Sequence, residues 1–397
     1  MKIPFSPPDI TESEITAVTN VLKSGWITTG PVTKQFEKEI SNWAKTEKTA
    51  CLASATIAME LALRMYGIGP GDEVITSAYT YTASASVIFH TGAKIVLCDT
   101  SSNSYEMDYE KLPCLINEKT KAIIAVDVAG KMCDYKRLFD IATQKKSIFN
   151  PSSEMQESFG RILIIADAAH SIGADRDGIN SGAYADFTAF SFHAVKNITT
   201  AEGGALTWRT SSFLDSEKVY KNLMLLSLHG QNKDAFSKSK AGAWDYDIIE
   251  PLYKCNMSDL HAALGLSQFL RYKKMLSRRR SIIEMYEKNL LPEIKLLKHF
   301  ENNNNSSGHL MLTRINKADE QKRNRAIEKF TKAGISVNVH YKPLPMLTAY
   351  KNLGFDIENF QNAYNMYKNE LTLPLHSMLT DEEVGYISET YNNIIKC

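Results

Sequence analysis

Three short stretches of the chain carry residue types able to hold a reactive small molecule. Ser54-Ala55-Thr56 follows the apolar run 49–53 and opens a helical pattern of Ile57, Met59, Leu61 and Leu63. Hydroxyls beside the unpaired N–H groups of a helix's first turn make a phosphate cradle, although the same residues also cap helices that bind nothing. Asp167 ends the apolar run RILIIA (161–166) and precedes Ala168-Ala169-His170. A carboxylate at the end of a buried strand needs a cation, donors or water around it; its plainer role is a helix cap. Lys196 lies 29 positions later, inside FSFHAVKNITTAEGGAL (190–206), after another buried run and before the pair Gly203-Gly204. An amine held among apolar groups or beside a second cation gives up its proton and becomes a nucleophile, whereas a lone lysine is usually a solvated surface residue.

The combination matters more than any member. A phosphate holder, an acidic partner for a pyridinium nitrogen and an amine for a Schiff base are the three contacts that pyridoxal 5′-phosphate (PLP) requires. A metal site built from Asp167, His170 and His193 competes with this reading, but no histidine pair has compact ligand spacing, so no metal is expected.

The elements that position these residues follow from the hydrophobic pattern. Thr11 and Glu14 form a capping box ahead of Ile15, Val18, Val21 and Leu22, with Gly25 as the stop. Val32, Phe36, Ile40 and Trp43 mark a second helix. Apolar runs at 49–53, 73–77, 94–98, 122–128, 161–166, 187–192 and 205–208 then alternate with helical stretches. Continuous rather than alternating hydrophobicity predicts strands buried on both faces, hence a mainly parallel sheet wrapped by helices. Ligands of such sheets sit at the carboxyl ends of the strands, where Asp99, Asp127 and Asp167 lie. Beyond about residue 235 the pattern changes. SKSKAG (237–242) reads as a loop and Ser258 to Asn289 as one long helix. The basic patch Arg271, Lys273, Lys274 and Arg278 to Arg280 reads as its solvated face. The run 302–308 reads as a polar loop, and 310–315, 320–334 and 336–340 as parts of a small α+β domain.

The chain has 397 residues, with 46 Lys plus Arg against 45 Asp plus Glu. That balance gives no electrostatic case for nucleic acid or an anionic membrane. The six cysteines form no C-x-x-C pair, the first residues hold no long apolar stretch, and no run approaches a membrane span. A reduced, cytoplasmic protein is expected.

At the quoted residues the chain resembles the sugar aminotransferases of the DegT/DnrJ/EryC1/StrS family, essentially from end to end. The run 190–206 is the most specific match; SGWITTGP (24–31), SAT (54–56), GIGPGDEVIT (67–76), DAAH (167–170) and YKCNMSDLHAA (253–263) support it. The resemblance implies an α/β, type I PLP-dependent transferase fold, with a mainly parallel sheet in a large PLP-binding domain (1–255) and a smaller α+β C-terminal domain (256–397). It implies that Lys196 forms the Schiff base and moves the proton, and that Asp167 pairs with the pyridine nitrogen. Thr56, Ile57 (through its N–H) and Ser191 match phosphate contacts. Tyr81 matches the aromatic stacked on the ring, and His170 a neighbour of the phenolic oxygen. Asn256 matches an asparagine reaching the partner subunit's cofactor phosphate, which implies a homodimer with shared sites. Trp26, Thr28, Thr29, His229, His309 and His340 match positions near the sugar nucleotide.

Three departures stand out: Ala166 where relatives often carry Glu, Asp127 where some carry His, and a long connection at 147–161, which reads as a surface loop. The implied reaction moves an amino group from an amino acid, glutamate, to a keto-sugar nucleotide. The His193-x-x-Lys196 context resembles enzymes that aminate C4 of UDP-linked 4-keto sugars, 6-deoxy hexoses or pentoses, for surface glycans. A dTDP-linked 3-keto-sugar aminotransferase shares the motifs. A PLP-dependent sugar dehydratase would replace Lys196, and a non-catalytic relative would not need the full set of contacts.

Overall fold

The computed structural model describes residues 2–211, 213–233, 245–301 and 303–396, so the expected loop at 237–242 lies outside the described residues. A seven-stranded sheet forms the centre. Its first five members are β1 (Thr49–Leu52), β2 (Glu73–Ser77), β3 (Lys94–Cys98), β4 (Thr120–Val126) and β5 (Leu163–Asp167). Two short strands, β6 (Asp175–Arg176) and β7 (Ile179–Asn180), belong elsewhere, and β8 (Phe187–Ser191) and β9 (Gly204–Trp208) complete the sheet. The strand order is β1-β9-β8-β5-β4-β2-β3, parallel from β8 to β3, with β9 antiparallel to both neighbours. Alternate residues of one strand enter different cores: Ile124, Val126, Leu163 and Ile165 on one face, Ile123, Ala125, Ile164 and Ala166 on the other. Burial on both faces is why these strands read as unbroken apolar runs.

A second sheet joins β10 (Ile294–Leu296), β13 (Met311–Ile315) and β14 (Glu370–Leu373), all antiparallel, over a third core. Between β10 and β13, β11 (Phe300–Glu301) and β12 (Asn304–Asn305) pair with each other, and β12 pairs with β6. The expected polar loop at 302–308 is therefore partly strand: Asn304 is buried and its amide donates to Met132 O at 3.0 Å. The chain's start joins the C-terminal core. Ile3 is fully buried there and bridges Ile335.

Helix α1 (Glu12–Ser24) begins at the anticipated capping box and stops at Gly25 with φ 74°, and α2 (Pro31–Ala44) follows. The long helix expected over 258–289 breaks at Arg271 into Asp259–Leu270 and Tyr272–Asn289. The first piece packs on α1 and α2, and the second crosses to the third core. One straight rod does not serve both. The basic patch is not simply a solvated face either. Arg271 pairs with Glu14 and Asp9, and Arg279 is buried, donating to the carbonyls of Gly308 and Leu375.

The segment 147–161 also differs from a surface loop. Glu154–Phe159 is a short helix capped by Ser153, and Phe159 meets Tyr66 edge-on with ring centroids 5.3 Å apart. Gln156 is fully buried, donating to Tyr66 O at 3.0 Å and accepting from Ser152 N–H at 2.9 Å. Its signal was muted because its anchor lies 90 residues away. Among the described residues, no helix is long and apolar enough to cross a membrane. Gln156→Ala leaves a buried amide and carbonyl short of partners; a loss of about 1–3 kcal/mol is expected, read as a lower urea midpoint with unchanged slope.

Candidate active site

A cavity of about 380 Å³ opens where β4, β5 and β8 end, with Val126, Asp167 and Ser191 on its wall. One end is the start of helix α3 (Ala55–Met65). Ser54 caps it in an extended conformation and accepts the Ile57 N–H at 3.1 Å. The cap thus uses the Ile57 amide, while Thr56 and Ser191 line the cavity. Gly204 lies directly behind this turn: a Cβ there would fall 2.3 Å from the Ala55 nitrogen. Only glycine lets β9 come so close. A helix start, two hydroxyls and a close backbone approach fit an anion such as the PLP phosphate.

Asp167 is buried at the end of β5. Its Oδ2 accepts from Ser84 Oγ at 2.6 Å and its Oδ1 from the Ala169 N–H at 3.2 Å. Ser84, having donated, accepts from Thr80 Oγ1 at 2.8 Å. Burial raises the Asp167 carboxyl above its ordinary value, against Ser84, Ala169 and the nearby Lys196. Lys196 keeps part of its surface open to the cavity. Burial pushes its amine down to about 8, with Asp167 acting the other way. Desolvation therefore wins at both groups and favours their uncharged forms. A carboxylate that a cationic ring nitrogen would re-ionise, facing an amine already depleted of its proton, fits the rest of the PLP requirement.

The opposite wall carries His170, His309, His340 and Tyr341. Ala129, at φ 60°, donates its N–H to His170 Nδ1 at 3.2 Å. That nitrogen must therefore be the acceptor, so the neutral ring carries its proton on Nε2, 3.0 Å from Tyr341 Oη. Asn197 donates its amide N–H to Ser307 O at 3.0 Å, so its Oδ1 accepts from His309 Nδ1 at 2.9 Å. Burial holds His170 and His309 well below the ordinary imidazole range and His340 at about 4, reinforced by Lys196. All three are neutral near pH 7. Tyr81 stands at the mouth, 61% exposed, its ring 6.2 Å from that of Tyr341.

The cavity thus gathers Thr56, Tyr81, Asp167, His170, Ser191, Lys196, His309 and His340. Trp26, Thr28, Thr29, His229 and Asn256 do not line it. They lie along a neighbouring edge: Asn256 Nδ2 donates to Thr29 Oγ1, Trp26 Nε1 to Thr29 O at 3.2 Å, and the His229 N–H to Tyr253 O at 2.6 Å. Asp127, the other departure, is tied up structurally by Cys133 N–H, Tyr135 Oη and Ser171 Oγ. Sequence reasoning missed Ser84 and Tyr341. Ser84 stands three residues after Tyr81, but its bond to Asp167 spans 83 residues; Tyr341 adjoins His340.

The DegT/DnrJ/EryC1/StrS aminotransferase family model matches residues 8–392. The chain belongs to this family. It is accordingly an enzyme, a PLP-dependent sugar aminotransferase of type I fold. The aminotransferase is 35% identical over 402 residues to the spore coat polysaccharide biosynthesis protein SpsC of Bacillus subtilis, covering 99% of this chain and 97% of that one. It is 32% identical over 382 residues to the UDP-4-amino-4-deoxy-L-arabinose–oxoglutarate aminotransferase of Shewanella sediminis, covering 94% and 90%. Among solved structures, Spr1654 of Streptococcus pneumoniae, described as a sugar aminotransferase, superposes in its PMP form with a TM-score of 0.97 at 53% identity, covering 100% and 99%; a PLP form is also known.

An amine that titrates near 8 is about one-tenth neutral at pH 7. Capture of added PLP by the cofactor-free aminotransferase should therefore quicken about tenfold from pH 6 to 7 and level off above about pH 9. Stopped-flow absorbance checks this, and a rate that goes on rising past about pH 10, as for a solvated lysine, contradicts the lowering of the Lys196 amine by burial.

Proposed function

We propose that this aminotransferase moves an amino group from L-glutamate to C4 of a UDP-linked 4-keto sugar, for surface polysaccharide or glycan biosynthesis. The observation that carries the reading is the single cavity in which Lys196 and Asp167 face three neutral histidines. The names of the Shewanella and Bacillus relatives support the nucleotide, the carbon, the oxoglutarate product and the polysaccharide setting. So does His193, three residues before Lys196, at the cavity rim.

PLP, when bound, supplies a ring that draws electrons away from the carbon bearing the transferred amine. The chain's residues do the rest. Thr56, Ser191 and the start of α3 would hold the phosphate, the Ile57 N–H being taken by the Ser54 cap. Asp167, oriented by Ser84, keeps a proton on the ring nitrogen. Tyr81 would cover the ring, and His170 would stand near the cofactor's phenolic oxygen. Lys196 would hold the cofactor through its amine and, when free, would serve as base and then acid for the proton on the donor's Cα. His309 and His340, uncharged, offer hydrogen bonds to a neutral sugar without competing for its diphosphate. Trp26, Thr28, Thr29, His229 and Asn256 act in a second site, across a homodimer interface, where Asn256 meets the partner's phosphate.

A panel of UDP- and dTDP-linked 3-keto and 4-keto sugars with glutamate, read by mass spectrometry and product NMR, tests this. A UDP-linked 4-amino product is expected, and amination at C3 would overturn it. Lys196→Ala should bind PLP without the borohydride-sensitive absorbance of the wild type. Ser84→Ala should lower kcat about tenfold, through loss of one charge-assisted hydrogen bond, and change KM much less.

A further inference from the structure

Behind the histidine wall lie two polar side chains with no surface on the cavity. Glu370 and Thr372 point to the same side of β14, two residues apart, and both are completely buried. Glu370 Oε2 accepts the His340 N–H at 2.8 Å, and Tyr79 Oη donates to His340 O at 2.7 Å, so the backbone of His340 is held on both sides. Phe5 stacks on its imidazole with centroids 5.5 Å apart. Thr372 Oγ1 sits 2.9 Å from His340 Nδ1 and 2.5 Å from Glu370 Oε1. A carboxyl, a hydroxyl and an imidazole thus form one continuous chain that ends at His340, which lines the cavity and whose Nε2 is the ring nitrogen Thr372 leaves free.

We propose that Glu370 and Thr372 form a proton relay that decides whether His340 Nε2 presents an N–H or a lone pair to the cavity, making Glu370 a positioning residue for the sugar step. The inference rests on the reading that His340 meets the sugar. Its logic is set by the hydroxyl, which has one proton to give. With Glu370 protonated, its O–H donates to Thr372 Oγ1 and Thr372 donates to Nδ1, so the neutral ring carries its proton on Nε2. With Glu370 ionised, Thr372 donates to Oε1 and accepts from Nδ1–H, leaving a lone pair on Nε2. Passing from the first state to the second, the Nε2 proton goes to a basic oxygen in the cavity. The Thr372 proton moves to Nδ1 and the Glu370 proton to Thr372. Glu370 loses one proton, the acceptor gains one, and His340 is uncharged at both ends. Replacing a sugar carbonyl oxygen by nitrogen requires that oxygen to leave as water, so a proton source of this kind has work to do.

The surroundings keep both states within reach. Tyr79, Tyr105, Tyr341 and Tyr391 face Glu370 as neutral phenols, and Arg323 is the nearby cation; its Nη1 donates to the carbonyls of Tyr367 and Glu370 rather than to the carboxylate. Burial raises Glu370 to about 8 while His340 stays neutral.

The test is ¹⁵N NMR of histidine-labelled, PLP-loaded enzyme without sugar, with His340→Gln to assign the signals. In the wild type the two ring nitrogens of His340 should exchange shifts between pH 6.5 and 9.5, with a midpoint near the Glu370 value of about 8. In Glu370→Gln the amide N–H replaces the acid O–H, so the Nε2–H form should persist throughout. Thr372→Ser should keep the switch, and cofactor absorbance reports that each variant is folded. One His340 tautomer across the range in the wild type, or a surviving switch in Glu370→Gln, overturns the relay. No sugar enters the measurement, so an error over the sugar leaves its outcome untouched.

Discussion

A carboxyl group has been placed where little water reaches. Asp167 closes a strand that is buried on both faces, and stripping a charge of its hydration costs several kcal/mol before any partner repays it. Ser84 and the Ala169 N–H repay part, and Lys196 on the adjoining loop repays some by charge. None of the three outweighs burial. The pair is left wanting a cation at the carboxyl and an electrophile at the amine, which is what a pyridine aldehyde provides. The parallel order β4-β5-β8 is what makes this compact, because it brings three strand ends to one rim.

The wall facing the pair is built on the opposite principle. Its histidines are kept uncharged, and each has its Nδ1 engaged by a residue off the cavity: Ala129 on His170, whose Nε2 also meets Tyr341, Asn197 on His309, and Thr372 on His340. An imidazole with one nitrogen so engaged no longer chooses freely what the other presents. The wall therefore carries a preset pattern of donors and acceptors, set by residues that never touch the cavity. Glu370 extends this by one layer.

Much of this was legible in the sequence, and the failures share a cause. The central strands announced themselves because a strand covered on both sides must be apolar throughout, and Thr11, Glu14 and Gly25 bound α1 by local chemistry alone. Thr56, Asp167, Ser191 and Lys196 stood out because each follows such a strand. Misreadings arose where the deciding partner is remote. Gln156 looks like any loop glutamine until Tyr66 is beside it. Asn304 looks solvated until it meets Met132. Arg271 looks like one more basic residue until Glu14 and Asp9 claim it and the helix breaks. Glu370 was invisible for the same reason, as a buried glutamate is spelled like an exposed one.

The first residues of the chain complete the cavity. Phe5 and Ser6 line it, and Ser6 Oγ donates to Val195 O at 3.1 Å, next to Lys196. Their anchors come from the far end: Ile335 beside Ile3, His376 against Pro4 O, and Ser377 on Asp9. Synthesis runs from the N-terminal side onward, so residues 3–9 emerge long before residues 335–377, which hold them. The nascent large sheet can form early, yet the segment that closes over its reactive lysine stays unanchored until residues 335–377 arrive. Closure of the site thereby waits on residues 335–377, and a product that stops short of them cannot assemble the finished pocket.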